Sequence, residues 1–138
     1  MTAPSSPPVL HIAAALIEDA EGRLLLVRKR GTAAFMQAGG KLEPGESPAD
    51  ALAREITEEL GQPPTRLSPL GEFSAEAANE PGHVLRAHLF RAEVAGPLHA
   101  AAEIAELRWV TPAEALALPL APLTREQVLP RVAGLAEA

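Results

Sequence analysis

The most informative segment of this 138-residue chain lies at residues 39–61 and reads GGKLEPGESPADALAREITEELG. Its second half carries the start and stop signals of a helix. Ser47 suits the capping position, and Pro48 suits the first helical position because its missing N–H would have no partner there. Gly61 suits the left-handed residue that follows a helix. We therefore predict one helix over residues 48–60.

Carboxylates gather on one side of this predicted helix. Successive residues are about 100° apart around a helix axis, so Glu55, Glu58 and Glu59 fall within an arc of about 100°. Like charges at this spacing oppose helix formation, whereas a divalent cation would neutralise them. Mg²⁺ and Mn²⁺ prefer such oxygen ligands, and Mg²⁺ is typically held together with substrate phosphates. For the helix considered alone, a solvated acidic face is the alternative.

The spacing of the polar residues in this segment resembles the Nudix box, the signature of the Nudix hydrolase family. All seven fixed polar and glycine positions match, and the aliphatic position is Ile56: the pattern runs Gly40, five residues, Glu46, seven residues, Arg54-Glu55-Ile56, one residue, Glu58-Glu59, one residue, Gly61. Two flanking positions differ from the family pattern. Gln62 replaces an aliphatic residue, and Ala38 replaces a proline that often precedes the glycine pair.

The resemblance implies an α/β fold, namely a Nudix-type α/β/α sandwich with a mixed β-sheet. The box would form a loop, a helix and a second loop. Residues 1–8 are rich in proline and serine, so we expect a flexible arm there. The Nudix hydrolase domain would then occupy residues 9–138.

The resemblance also implies a metal-dependent pyrophosphohydrolase that cleaves a nucleoside diphosphate linked to another group, with water attacking phosphorus. The cofactor would be Mg²⁺ or Mn²⁺. The ligands carried over by position are Glu55, Glu58, Glu59 and the carbonyl of Gly39. Arg54 would orient Glu55 through a charge-assisted hydrogen bond, and Glu46 would support the ligands or position water.

A general base is needed as well, because a carboxylate must accept the proton of the attacking water. Glu55 is our first candidate. Glu103 or Glu106 is the second, because several family members use an acid in this region as a further ligand or base. Glu103 is preferred of the two because it lies farther from the predicted strand. Both side chains are also readily explained as exposed loop acids.

Basic residues that would contact the substrate phosphates are predicted less directly. Arg28, Lys29 and Arg30 end the second predicted strand, where alternation places Lys29 on the opposite face from its two neighbours. Lys41 lies within the glycine-rich approach to the helix. We take these four residues as substrate-binding candidates, with solvated surface charges as the alternative.

The substrate class is suggested by two residues that are typical of particular subgroups of the family and are missing from this chain. The ADP-ribose subgroup tends to carry a proline in the region where Ala77 and Ala78 stand. The diadenosine polyphosphate subgroup tends to carry a tyrosine, and this chain has none. We therefore expect the substrate to be a nucleoside triphosphate, oxidised forms included, which is cleaved to the monophosphate and pyrophosphate. An ADP-ribose or other nucleotide-sugar hydrolase and a non-catalytic nucleotide-sensing module are the alternatives.

Composition narrows the classes of partner. The 12 basic and 18 acidic residues give a net charge of −6, which argues against stable binding to nucleic acid. The longest apolar run, Ile12–Ile17, has six residues, while a membrane-spanning helix needs about 18 or more. No Lys or Arg precedes this run, whereas a signal peptide would have a positively charged segment there. We expect a cytoplasmic protein whose partner is a small nucleotide, with a homodimer possible as in relatives.

The remaining elements are predicted from apolar runs and turn residues. The predicted strands span Val9–Glu18, Arg23–Arg30, Arg66–Ala78, His83–Val94 and Ile104–Val110. The first two are expected to pair as a hairpin. Thr111 should cap a short helix that reaches about Leu118, and a last helix over Leu123–Leu135 should bend or break at Pro130.

Overall fold

The computed structural model of the protein describes residues 8–132. Its elements are β1 (Val9–Leu16), β2 (Leu24–Lys29), β3 (Phe35–Met36), β4 (Ala38–Lys41), α1 (Pro48–Leu60), β5 (Arg66–Glu76), β6 (Val84–Glu93), β7 (Ile104–Val110) and α2 (Pro112–Ala115). A π-helical turn, Thr124–Val128, and a 3₁₀ turn, Leu129–Arg131, follow; we call them together the C-terminal segment. Apart from Pro8, the predicted arm lies outside the described residues.

The strands form two sheets. The four-stranded sheet has the order β4-β1-β6-β5, in which β1 and β6 are parallel and the other pairs are antiparallel. The three-stranded sheet has the order β3-β2-β7 and is antiparallel. The prediction of an α/β fold with a mixed sheet is therefore confirmed.

The predicted hairpin between the first two strands is wrong. β1 and β2 belong to different sheets, and only an isolated bridge between Glu18 and Leu24 joins them. The turn itself is present, because the Asp19 carboxylate accepts the main-chain N–H groups of Glu21 and Arg23. The strands nevertheless diverge beyond this turn. The sequence did not predict the divergence, because a strand buried on both faces is apolar throughout and its sequence does not specify which strand it pairs with.

Both faces of the sheets are covered. Ala13, Ala15 and Ile17 belong to the apolar cluster that contains Leu52, Ile56 and Leu60 of α1. Their neighbours Ala14 and Leu16 belong to the opposite cluster, with Val128 and Leu129 of the C-terminal segment. This division follows from the alternation of side chains along a strand. The result is the expected sandwich, with α1 on one side of the sheets and the C-terminal segment on the other.

The helix predicted over residues 48–60 is confirmed. Ser47 Oγ accepts the Asp50 N–H at 3.1 Å, which satisfies one of the free donors at the helix start. At the other end Gly61 adopts a left-handed conformation with φ +81°, and its N–H donates to the Thr57 carbonyl. Among residues 8–132, no helix has the length and apolar character needed to span a membrane.

The two later helical predictions are met in part. Thr111 caps α2 in a reciprocal pair with Glu114, but α2 ends at Ala115 and only turn-type hydrogen bonds continue to Leu118. The predicted last helix is replaced by the C-terminal segment. Pro130 lies in its 3₁₀ turn, where the missing N–H cannot continue a regular helix. Residues 133–135 of that prediction lie outside the described residues.

Candidate active site

A cavity of about 440 Å³ opens beside α1. Its lining includes charged side chains, which we call the charged part: Lys29, Lys41, Glu55, Glu80 and Glu103, beside Gly39 and Gly40. It also includes apolar side chains, which we call the apolar part: Leu10, Ile12, Met36, Leu85, Ala121 and Leu123. Cavities of this size accommodate small ligands. The mixed lining suits a molecule that has both a charged and an apolar portion.

Glu59 occupies the most buried position among the box carboxylates. Its side chain lies on the packed face of α1, and the residue is only 1% exposed. Oε1 accepts the Gly39 N–H at 3.0 Å, whereas Oε2 is buried and has no hydrogen-bond partner among the described residues. Burial raises the pKa of Glu59 to about 8, although the Gly39 N–H opposes this. Such a carboxylate is stable as an anion only when a cation lies nearby.

Arg54 connects the loop before α1 to the acidic face of the helix. Its Nε and Nη2 donate to the two carboxylate oxygens of Glu46 at 2.8 and 2.9 Å. Its Nη1 donates to Glu55 Oε1 at 2.7 Å. These hydrogen bonds, with a further one from the Glu43 N–H, lower the pKa of Glu46 to about 2. Glu46 therefore stays ionised and holds Arg54, which in turn fixes one oxygen of Glu55.

Glu55 projects into the cavity over Gly40. Burial raises the pKa of the Glu55 carboxyl, while its hydrogen bond with Arg54 acts in the opposite direction. A Cβ placed on Gly40 would lie 2.6 Å from the Glu55 carboxyl carbon. Glycine at position 40 thus leaves the space that this carboxylate occupies.

Glu58 has a more open environment than its two neighbours. Its side chain is 53% exposed, and Oε2 lies 3.7 Å from Arg54 Nη1. Within residues 8–132, no three acidic or histidine side chains are already assembled around a common metal position. Glu55 and Glu58 both lie near Arg54 Nη1, at 2.7 and 3.7 Å. The chemistry of the three carboxylates fits Mg²⁺ or Mn²⁺, because all of the donors are oxygens and one buried oxygen of Glu59 has no hydrogen-bond partner among the described residues.

Glu103 directly precedes β7 and Glu106 lies within that strand, and the two acids have different surroundings. Glu103 lines the cavity, and its carboxylate lies 3.2 Å from Lys29 Nζ. Glu106 is instead held by Arg108 at 2.7 Å and by Arg28 at 3.1 Å, and both contacts lower its pKa. It is not part of the cavity lining. The geometry thus favours Glu103 over Glu106 for a role beside Glu55.

The four basic candidates also separate into two groups. Lys29 and Lys41 line the cavity, and Lys41 Nζ lies 2.8 Å from Glu80. Arg28 and Arg30 are not part of its lining, as alternation along β2 would suggest. Arg28 donates to the Thr32 carbonyl at 2.9 Å in addition to its contact with Glu106.

Two polar residues in the cavity lining were not anticipated from the sequence. Gln37 lies between β3 and β4, and Thr124 begins the C-terminal segment. Thr124 Oγ1 donates to Gln37 Oε1 at 2.6 Å, and both residues are buried. The one available signal was a glutamine between apolar residues, directly before Ala38 and the glycine pair. No local pattern links it to a threonine 87 residues later.

Comparison with known proteins gives the family to which this chain is similar. The family model described as NUDIX domain matches residues 9–132. The CTP pyrophosphohydrolase of Escherichia coli (strain K12) is 37% identical over 120 residues, which cover 83% of this chain and 84% of that protein. A putative 8-oxo-dGTP diphosphatase of Bacillus subtilis (strain 168) is 30% identical over 108 residues, covering 77% and 68% respectively. The solution structure of the E. coli ORF135 protein is 34% identical, with a TM-score of 0.71 over 89% of this chain and 87% of that one.

Proposed function

Because this chain belongs to the Nudix hydrolase family, we propose that it hydrolyses nucleoside triphosphates, oxidised ones included, to the monophosphate and pyrophosphate. The observation that carries the proposal is the hydrogen-bonded set of Glu46, Arg54 and Glu55, together with the buried Glu59 bound to the Gly39 N–H, beside a cavity with a charged and apolar lining. A nucleotide has the same two parts, namely phosphates and a base.

The residues that would hold Mg²⁺ or Mn²⁺ are Glu55, Glu58, Glu59 and the Gly39 carbonyl. When bound, the metal neutralises phosphate charge and makes coordinated water more acidic. The chain's contribution is to supply these oxygens from two elements that are already linked. Glu59 joins α1 to β4 through the Gly39 N–H, so the side-chain and main-chain donors belong to one packed unit.

Glu55 is proposed as the general base. Arg54 engages its Oε1, which leaves Oε2 to accept the proton of the attacking water. The water oxygen then forms a bond to the α-phosphorus. The bond between that phosphorus and the oxygen that bridges it to the β-phosphorus breaks, and pyrophosphate leaves with the electron pair of that bond. Glu103 lines the same cavity, and it is the second candidate for this role.

Lys29 and Lys41 are proposed to contact the phosphates, because both line the charged part of the cavity. Each now pairs with an acid, Glu103 and Glu80 respectively. Both carboxylates are substantially exposed. A phosphate can therefore displace them from the two ammonium groups, because each displaced carboxylate remains in contact with water. The apolar part of the lining would receive the base.

The triphosphate class is supported by two relatives whose names state a nucleoside triphosphate substrate, CTP in one and 8-oxo-dGTP in the other. The absence of tyrosine, which the diadenosine polyphosphate subgroup tends to carry, agrees with them.

The test is product analysis with a substrate panel in Mg²⁺ or Mn²⁺. The panel contains ordinary and oxidised nucleoside triphosphates, ADP-ribose, NADH and diadenosine polyphosphates. We expect pyrophosphate and a monophosphate from the triphosphates, with little product from the Glu59→Gln variant. Glu76→Gln, on an exposed position of β5, is the matched control and should retain activity. If ADP-ribose is cleaved faster than every triphosphate, it replaces the triphosphates as the proposed substrate. Binding of a nucleotide without turnover would indicate a nucleotide sensor.

A further inference from the structure

The Gln37 side chain presents an unused hydrogen-bond donor at the cavity. The residue is 5% exposed and forms part of the cavity lining. Its amide nitrogen, Nε2, is buried and has no hydrogen-bond partner among the described residues. A buried amide nitrogen without a partner is unfavourable, since it has given up water and gained nothing in exchange. Such a group therefore points to a ligand that supplies the acceptor.

In the structure, Thr124 engages the oxygen end of the amide. Its Oγ1 donates to Gln37 Oε1 at 2.6 Å, and Thr124 is completely buried. The amide oxygen is thereby engaged, and the two N–H groups of Nε2 remain. Both residues are held by packed structure, because Phe35 and Ala38 on either side of Gln37 are core residues, as are Leu123 and Val128 around Thr124. The donor is positioned before any ligand arrives.

We propose that Gln37 selects the base of the substrate by donating from Nε2 to a carbonyl oxygen of that base. This inference rests on the proposed function, since it assigns the apolar part of the cavity to the base. Met36, Leu123 and Ile12 share the lining with Gln37 and would cover the faces of a flat ring. The phosphates would extend toward Glu55 and Lys29 in the charged part.

A fixed donor distinguishes bases by the group that they present. Guanine and hypoxanthine carry an oxygen at C6, whereas adenine carries an amino group there. An amino group opposite Nε2 would place a donor against a donor and leave both without an acceptor. Cytosine, uracil and thymine each carry at least one ring carbonyl. The preferred substrates are therefore nucleotides whose base has a carbonyl oxygen, and adenine nucleotides are disfavoured.

Inosine and adenosine nucleotides provide a matched pair, because they differ only at this edge of the purine. We expect wild-type protein to have a kcat/KM for ITP at least about tenfold above that for ATP, the size expected for one hydrogen bond and its desolvation. In Gln37→Leu, the ratio of kcat/KM for ITP to kcat/KM for ATP should fall to about one, because the donor that distinguishes the two bases is gone. Gln37→Glu supplies an acceptor and should shift the preference toward ATP.

Thr124→Val is the control for the anchoring role. It removes the hydroxyl that engages Oε1 and keeps the shape of the side chain. The ratio of kcat/KM for ITP to kcat/KM for ATP should fall toward one, because the amide is then no longer held in one orientation. Thermal unfolding of each variant separates a change in selectivity from a loss of fold.

Equilibrium binding of IMP and AMP, measured by calorimetry, gives a readout that does not depend on turnover. Tighter binding of IMP by wild-type protein, lost in Gln37→Leu, would support the inference even if no triphosphate is hydrolysed, and the proposed function alone would then fail. An IMP to AMP affinity ratio that is the same in wild-type protein and Gln37→Leu would overturn the inference, whether or not triphosphates are cleaved.

Discussion

At the scale of single residues, Arg54 is the link between the loop before α1 and the acidic face of that helix. Two of its nitrogens bind Glu46 and a third binds Glu55. Glu46 is 15% exposed at its side chain, so water competes only partly for this pair. The arrangement keeps the Glu46 carboxylate ionised at neutral pH. Glu46 holds the Arg54 guanidinium, which in turn positions the Glu55 carboxylate.

The pH dependence of stability should reveal this pair. The pKa of Glu46 is lowered from 4.5 to about 2 by Arg54 and the Glu43 N–H. A lowered pKa stabilises the fold above the unfolded value, and this contribution is lost as the pH falls through the folded value. The difference in unfolding free energy between wild-type protein and Glu46→Gln should therefore shrink from pH 5 toward pH 2.

Urea denaturation of both proteins across this range is the measurement, with Glu76→Gln on the exposed position of β5 as the control. A difference that stays constant with pH would show that the Glu46 carboxylate is not held by Arg54 in the folded protein.

The contact between Arg54 and Glu55 could be predicted from the sequence because the box residues lie close together in the chain. The helix face of Glu55, Glu58 and Glu59, and the contact of Arg54 with Glu55, follow from spacing and family pattern. The pair formed by Gln37 and Thr124 could not be predicted. Its partners are 87 residues apart, and each reads locally as one polar residue in an apolar setting.

At the scale of elements, the end of α1 depends on a glycine for two reasons. Gly61 has φ +81°, which costs about 1–2 kcal/mol for a residue with a Cβ. A Cβ there would also lie 2.6 Å from Nε2 of the His99 ring. We expect Gly61→Ala to lower the free energy of unfolding by about 1–2 kcal/mol, and by more where the ring cannot move aside.

A double-mutant cycle with His99→Ala separates these two causes. The double variant should regain the stability that Gly61→Ala loses to the clash with His99, but not the stability that it loses to the backbone conformation. We therefore expect a favourable coupling energy between the two changes. Measurement is by urea denaturation of the four proteins. If Gly61→Ala were as stable as wild-type protein, the described helix end would be incorrect.

Elements were predictable from sequence where their signals are local. The bounds of α1 follow from Ser47 and Gly61, and α2 begins after the predicted cap at Thr111. The pairing of β1 was not predictable, because its parallel partner β6 follows much later in the chain. The apolar sequence of β1 is equally compatible with the hairpin that does not form.

At the scale of the whole molecule, the proposed metal site connects two layers. Gly39 belongs to β4 of the mixed sheet and Glu59 to the helix packed on it, and their hydrogen bond already joins them. A cation held by both would bind the folded chain and not the unfolded one. Binding at a hundredfold excess over Kd adds about 2.7 kcal/mol to the free energy of unfolding.

Mg²⁺ should therefore raise the unfolding temperature of wild-type protein, and a chelator should reverse the change. Glu59→Gln should respond much less, since it lacks the buried carboxylate whose Oε2 has no protein partner among the described residues. Glu76→Gln should respond as wild-type protein does. Differential scanning calorimetry with and without Mg²⁺ is the measurement, and equal responses of Glu59→Gln and wild-type protein would place the cation elsewhere.

The most direct test of the central claim is the initial rate of pyrophosphate release as a function of Mg²⁺ concentration, using the triphosphate that wild-type protein hydrolyses fastest. We predict a saturable requirement for Mg²⁺, loss of activity in chelator, and a rate at least about 100-fold lower for Glu59→Gln. The absence of hydrolysis with every triphosphate, a rate that persists in chelator, or full activity of Glu59→Gln would contradict the account.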